Sequence, residues 1–236
     1  MCFSASASFT SAAVLATTGA AALALNKYPH QRGFVALPFI FGAQQAAEGV
    51  VWLTLQDSNL YSFQLGAVIA FIFIAFALWP AWIPWAISKM ETVPLRKKLL
   101  YVSQSMGLFF AVVATYVIWT GNPRSEIVGQ CLNYGFEKNT ASFFPPNMHA
   151  IFYFSSTVLP FFISSIKWVK TTGYLILAGL LITLSSWKYA TTSVWCFFAA
   201  IASIYICVHI YREQRGLKRA VVPLKDSTNV PKQLLG

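Results

Sequence analysis

Charge is what this sequence has least of. Only 10% of its 236 residues are Asp, Glu, Lys or Arg, against about 25% in a soluble domain. With 57% of residues hydrophobic, too few polar side chains remain to cover a globular surface, so the chain's solvent must be largely lipid. Acids are scarcest, seven against 17 Lys and Arg. A Gly-rich phosphate loop, a paired CxxC and an HExxH motif are all missing, so no sequence signature of phosphate, thiol-redox or zinc-protease chemistry is present. No internal repeat is visible, so inverted-repeat transporter logic does not apply. Residues 1–11 carry no Lys or Arg. The positive n-region of a signal peptide is therefore missing, and the first apolar run is expected to stay in the mature protein.

What is present is a series of apolar runs, each long enough to cross a hydrocarbon core of about 30 Å. They predict an all-α, polytopic membrane helix bundle with seven transmembrane helices in residues 1–211, followed by a basic, mobile tail, 212–236. The expected spans are Ser8–Leu25, Phe34–Leu55, Leu60–Ile87, Leu99–Thr120, Met148–Trp168, Tyr174–Trp187 and Thr191–Tyr211. The third should kink or end near Pro80, which removes a helical donor. With the N-terminus outside and the C-terminus in the cytoplasm, 14 basic residues fall inside and three (Arg124, Lys138 and Lys188) outside. The positive-inside rule favours that arrangement. The same bias explains the net charge of +10 without nucleic acid. The expected partners are the bilayer and, at the tail, anionic lipid. The connection over residues 121–147, with Cys131, Tyr134 and Phe136, is apolar enough to fold back over the outer mouth.

Glu48 is the single acid inside any expected span. Gln44, Glu48 and Trp52 recur every fourth residue and share a helix face, with Gln45 beside them. An acid at a span's centre costs about 2.5–3.5 kcal/mol. It should therefore face the bundle interior, as interhelical glue or as a functional group. A second stripe runs through His149, Tyr153, Ser156, Pro160 and Ser164, and a third through Ser193, Cys196, Ala200, Ser203 and Cys207. The small residues of the third are expected to pack helices closely. Cys2 offers a thiol and, if Met1 is removed, an adjacent amine, a pair able to chelate a soft metal or act as a nucleophile. On this topology Cys2, Cys131 and Cys196 share the outer side, where a disulfide between two of them is permitted.

The stretches MCFSASASF (1–9), QQAAEGVVW (44–52) and SVWCFFAAIAS (193–203) together resemble an uncharacterised family of bacterial multi-pass membrane proteins. The resemblance implies a multi-pass fold in the bacterial inner (plasma) membrane, without an activity. It marks Cys2, Gln44, Gln45, Glu48, Trp52, Trp195 and Cys196 as pattern positions.

Three functions compete. In the first, a polar outer pocket formed by Cys2, Gln44, Gln45, Glu48, His149 and Cys196 binds a metal ion or small ligand. Cys2, Glu48, His149 and Cys196 would hold zinc or copper. Cys2 and Glu48 would be catalytic in redox or hydrolytic chemistry, and Gln44, Gln45, Trp52, Tyr153 and Trp195 would contact the ligand. The second is a proton-coupled small-solute transporter or channel in which Glu48 exchanges a proton. The third is a seven-helix sensor or scaffold.

Overall fold

The computed structural model describes residues 4–55, 58–136 and 148–221. Helix α1, Ala5–Leu25, starts where the Ser4 side chain accepts a hydrogen bond from the Ala7 amide, satisfying one orphan donor of the first turn. After a short turn at Pro29–Gln31 come α2 (Arg32–Val35) and α3 (Leu37–Thr54). Two glycines fix how closely α1 and α3 pack. A methyl on Gly19 would meet the Phe39 backbone at 2.7 Å, and one on Gly42 the Ala16 amide at 3.0 Å. Small residues at such contacts let backbones approach, which is how helices associate when lipid supplies no hydrophobic drive.

Helices α4 (Tyr61–Phe73) and α5 (Trp79–Met90) form one apolar rod interrupted by a π-helical turn at Ile74–Leu78. The expected disturbance near Pro80 thus lies just before the proline, and the helix continues. Within the turn the Trp79 amide bonds back to the Ile74 carbonyl. The Ala75 carbonyl then has neither Trp79 nor, since Pro80 has no N–H, the next residue as donor. The Tyr153 hydroxyl fills the gap, donating to Ala75 O at 2.9 Å.

Helix α6, Pro94–Thr120, ends at Gly121, followed by Asn122 in the left-handed region with φ 52°, a conformation asparagine tolerates past a helix end. An antiparallel hairpin follows, β1 (Pro123–Val128) and β2 (Cys131–Phe136), turning at Gly129 with φ 61°.

The fifth expected span is two pieces, α7 (Met148–Thr157) and α8 (Leu159–Ile163). Pro160 cannot donate to Ser156, and the hydroxyls of Ser155, Ser156 and Thr157 all bond back to carbonyls of the preceding turn, which bends helices. Helices α9 (Lys167–Ser186) and α10 (Thr191–Val221) complete the bundle, with α10 running on past Arg212. Among the described residues six helical stretches are long and apolar enough to cross a membrane; the broken α7–α8 is the expected span missing from that set.

The exterior is apolar, with Phe63, Val112 and Trp119 at 70%, 69% and 89% exposure, while Gln44, Gln45 and Glu48 are wholly buried. The main core, including Phe34, Leu37, Phe41, Trp79, Ile83 and Ile87, fills the end of the bundle away from the hairpin.

Candidate functional site

Helix α3 turns three polar side chains into the bundle near its hairpin end. Gln44 is fully bonded on both sides of its amide. Its Oε1 accepts from Trp79 Nε1 at 2.9 Å, and its Nε2 donates to Cys196 Sγ at 3.3 Å. It thereby ties α3 to α5 and α10. Trp79 follows directly on the π-helical turn, which shifts its register along the rod.

One turn further along α3, Glu48 Oε1 accepts from the Ser193 hydroxyl of α10. The other oxygen, Oε2, is buried and unpartnered among the described residues. So are both polar atoms of the Gln45 amide, the Trp52 Nε1 and the Ser8 Oγ. The Gln45 amide lies beside the Glu48 carboxylate but outside hydrogen-bonding geometry. Residues 45, 48 and 52 are spaced three and four apart, so the unpartnered atoms of α3 share one face. Each buried polar atom left without a partner costs about 1–3 kcal/mol, and lipid offers no water to relieve it.

The hairpin closes this end. Leu132 packs with Val51, Ile118 and Cys196, and Tyr134 stacks on Phe71 of α4 with ring centroids 4.4 Å apart. Cys131 is buried against Ala190 and Val194. Burial first and the Glu48 carboxylate second push its thiol above the ordinary value, so Cys131 lies within the field of Glu48. The expected fold-back of this connection is thus a two-stranded cap. On α3 the turns below Gln44 carry Phe41 and Leu37, and α2 before it carries Phe34, all in the main apolar cluster. The polar group is therefore one-ended.

Beside Gln44's partners Trp79 and Cys196 lies a cavity of about 30 Å³ lined also by Phe41, Tyr153, Thr157, Trp195 and neighbouring aliphatic residues. Its rings have spent their donors: Trp79 on Gln44, Tyr153 on Ala75 O and Trp195 on Ile176 O.

Gln44, Gln45, Glu48 and Cys196 gather as the sequence suggests, while Tyr153 and Trp195 belong to the aromatic cavity. His149 does not join them: it is exposed on the first turn of α7. Among the described residues no three His, Cys, Asp or Glu side chains come together to hold a metal ion, so the zinc or copper set loses His149. Cys2 lies outside the described residues. Cys131 and Cys196 are free thiols. Sequence reasoning missed Trp79 and Ser8 and took Ser193 for a packing residue; a tryptophan immediately before Pro80 was the available signal for the first.

Apolar helices long enough to span a bilayer, enclosing a small buried polar group, define a multi-pass membrane protein. The family model for DUF6629, a family of unknown function, matches residues 1–221, and the chain belongs to that family. No curated protein and no solved structure matches it.

Proposed function

We propose that this chain is a seven-crossing protein of a bacterial plasma membrane, N-terminus outside, that holds a small hydrogen-bonding ligand against Gln45, Glu48 and Trp52 beneath the hairpin. The observation carrying the reading is that four buried polar atoms of that one α3 face, with Ser8 Oγ, have no partner among the described residues; such atoms also occur on Gln31, Ser125, Glu213 and Gln214, but on other elements. A fold gains nothing from leaving donors and acceptors together and unmade. A ligand that supplies both removes their cost.

The seventh crossing is α7–α8. Its support is the return that the chain has to make between the hairpin end, where α6 stops, and the Glu91 turn, where α9 starts. Ser103 bonds Ser155, and Arg96 bonds Ile163 and Ser164, so the broken helix runs antiparallel to α6. The orientation rests on 14 basic residues on one side against three on the other. The basic tail in this reading touches anionic lipid.

The ligand is a small molecule rather than zinc or copper, since a metal would need Cys2 together with Glu48 and Cys196. The one-ended polar group favours binding over a through-path for protons. The test is native mass spectrometry of protein released gently from nanodiscs. The wild type should carry an added mass that a Gln45→Leu, Glu48→Gln double variant lacks. Identical spectra would leave the polar atoms as structural features alone.

A further inference from the structure

An apolar groove of about 140 Å³ opens between α1 and α10. Its walls include Ser11, Val14 and Leu15 on one side and Phe197, Ala200 and Ile204 on the other. Val14, 44% exposed, stands at its mouth and faces the bilayer. Each wall continues upward on the same helix face into the polar group. On α1, Ser8 precedes Ser11 and Leu15 at spacings of three and four; on α10, Ser193 precedes Phe197, Ala200 and Ile204 at four, three and four. Ser8 is wholly buried, its Oγ without a partner among the described residues, and Ser193 holds Glu48. The two walls of the groove are therefore continuous, along their helix faces, with Ser8 on one side and with Ser193 and its partner Glu48 on the other.

Resting on the binding reading above, we infer that the ligand is a single-chain amphiphile with a small neutral head, of the class of a long-chain alcohol, admitted from the bilayer between α1 and α10. The tail follows from the groove. Its volume is close to that of an apolar cavity that holds one benzene, which suits a segment of one chain and not two. The head follows from the polar atoms. Trp52 Nε1 can only donate, Gln45 offers both a donor and an acceptor, and Glu48 Oε2 accepts. A hydroxyl both donates and accepts, so it satisfies members of each kind. A phosphate or carboxylate head would find no basic side chain among Ser8, Gln45, Glu48 and Trp52 to neutralise it.

The experiment uses the full chain in nanodiscs with two photoactivatable probes, hexadecan-1-ol and hexadecane, each bearing a mid-chain diazirine. Labelled peptides are mapped by mass spectrometry. The alcohol should label Thr10–Leu15 and Phe197–Ile204 about fivefold more than the alkane, as one net hydrogen bond implies. Val14→Trp, a change at the exposed mouth that leaves the core intact, should suppress alcohol labelling by a similar factor. Gln45→Leu with Glu48→Gln should erase the preference for alcohol while leaving chain labelling in the groove. Equal labelling by alcohol and alkane, or labelling indifferent to Val14→Trp, reduces the groove to a seat for annular lipid and overturns the inference. If native spectra show the bound mass while the alcohol has no advantage, the binding site stands and the amphiphile falls.

Discussion

Among the described residues two carboxylates are buried in this bundle, Glu91 and Glu48, one near each end, and they are treated differently. Glu91, 2% exposed, sits in the turn between α5 and α6 and has every oxygen engaged. Its Oε1 accepts from the Thr92 and Val93 amides and the Ser165 hydroxyl, and its Oε2 accepts from the Ser165 amide at 2.6 Å. Beside it Arg96 Nη1 donates to the Ile163 and Ser164 carbonyls at 2.8 and 2.9 Å, the groups that the end of α8 leaves without helical donors. Glu48 has one partner for two oxygens among the described residues. A carboxylate saturated by backbone donors is a clamp, and its residues fix where α8 ends and α9 begins. A carboxylate left half unmade in the membrane interior has room for something else.

The largest effect should come from breaking the clamp. Glu91→Ala strands the Ser165, Thr92 and Val93 donors and is expected to cost about 3 kcal/mol, measured by denaturant titration in mixed micelles. Arg96→Ala frees two carbonyls near the surface, where water can replace part of the loss, and should cost about 1–2 kcal/mol. Equal, negligible losses in both variants would remove the contrast between the two ends.

The same clamp has a pH signature. Burial alone would raise the Glu91 carboxyl, but the donors from Ser165, Val93 and Thr92 outweigh it and hold the group below its ordinary value near 4.5. A depressed carboxyl contributes stability that is fully present above the unfolded value and is lost as pH falls through the folded one. Wild-type stability attributable to Glu91 should therefore be flat above about pH 5 and decline only in stronger acid. The decline should shrink in Glu91→Gln when unfolding is followed across that range.

How much of this was legible beforehand differs between the ends for a physical reason. Glu48 stood out because an acid inside an apolar run has few interpretations, and the every-fourth-residue spacing placed Gln44 on its face. Glu91 looked like an ordinary connection acid, since its value depends on Ser165, 74 residues away. Apolar runs placed α1 and α3 closely, but started α6 at Leu99 instead of Pro94 and α9 at Tyr174 instead of Lys167, and stopped α10 at Tyr211 instead of Val221, because charged and polar residues continue those helices beyond their apolar stretches. Residues 148–168 read as one span because apolar side chains on both sides of Pro160 outweigh it in a hydropathy average, which says nothing of how the three consecutive hydroxyls before it bend the chain. Nor could periodicity reveal that a π-helical turn before Pro80 creates a vacancy for Tyr153. That needs two helices to be in contact.

At the other end, substitutions should be mild for folding and decisive for binding. Glu48→Gln keeps an oxygen that can accept from Ser193, so stability should change by less than about 1 kcal/mol, while the bound mass is lost from native spectra. A stability loss as large as that of Glu91→Ala would instead make Glu48 a second clamp.

A substitution expected to stabilise sharpens the comparison most. Gln45 is fully buried, and neither its Oε1 nor its Nε2 has a partner among the described residues. If the amide serves the fold alone, replacing it with Leu removes two unmade groups at similar volume. Emptied protein should then gain about 1 kcal/mol. If the amide serves a ligand, the gain appears only once the ligand has been stripped, because in loaded protein Gln45 is paired and the variant forfeits that contact together with the binding energy. Melting curves of Gln45→Leu and wild type, taken before and after exhaustive detergent exchange, should therefore change order. An order that stays the same through the exchange would place Gln45 with the clamp residues, as part of the architecture.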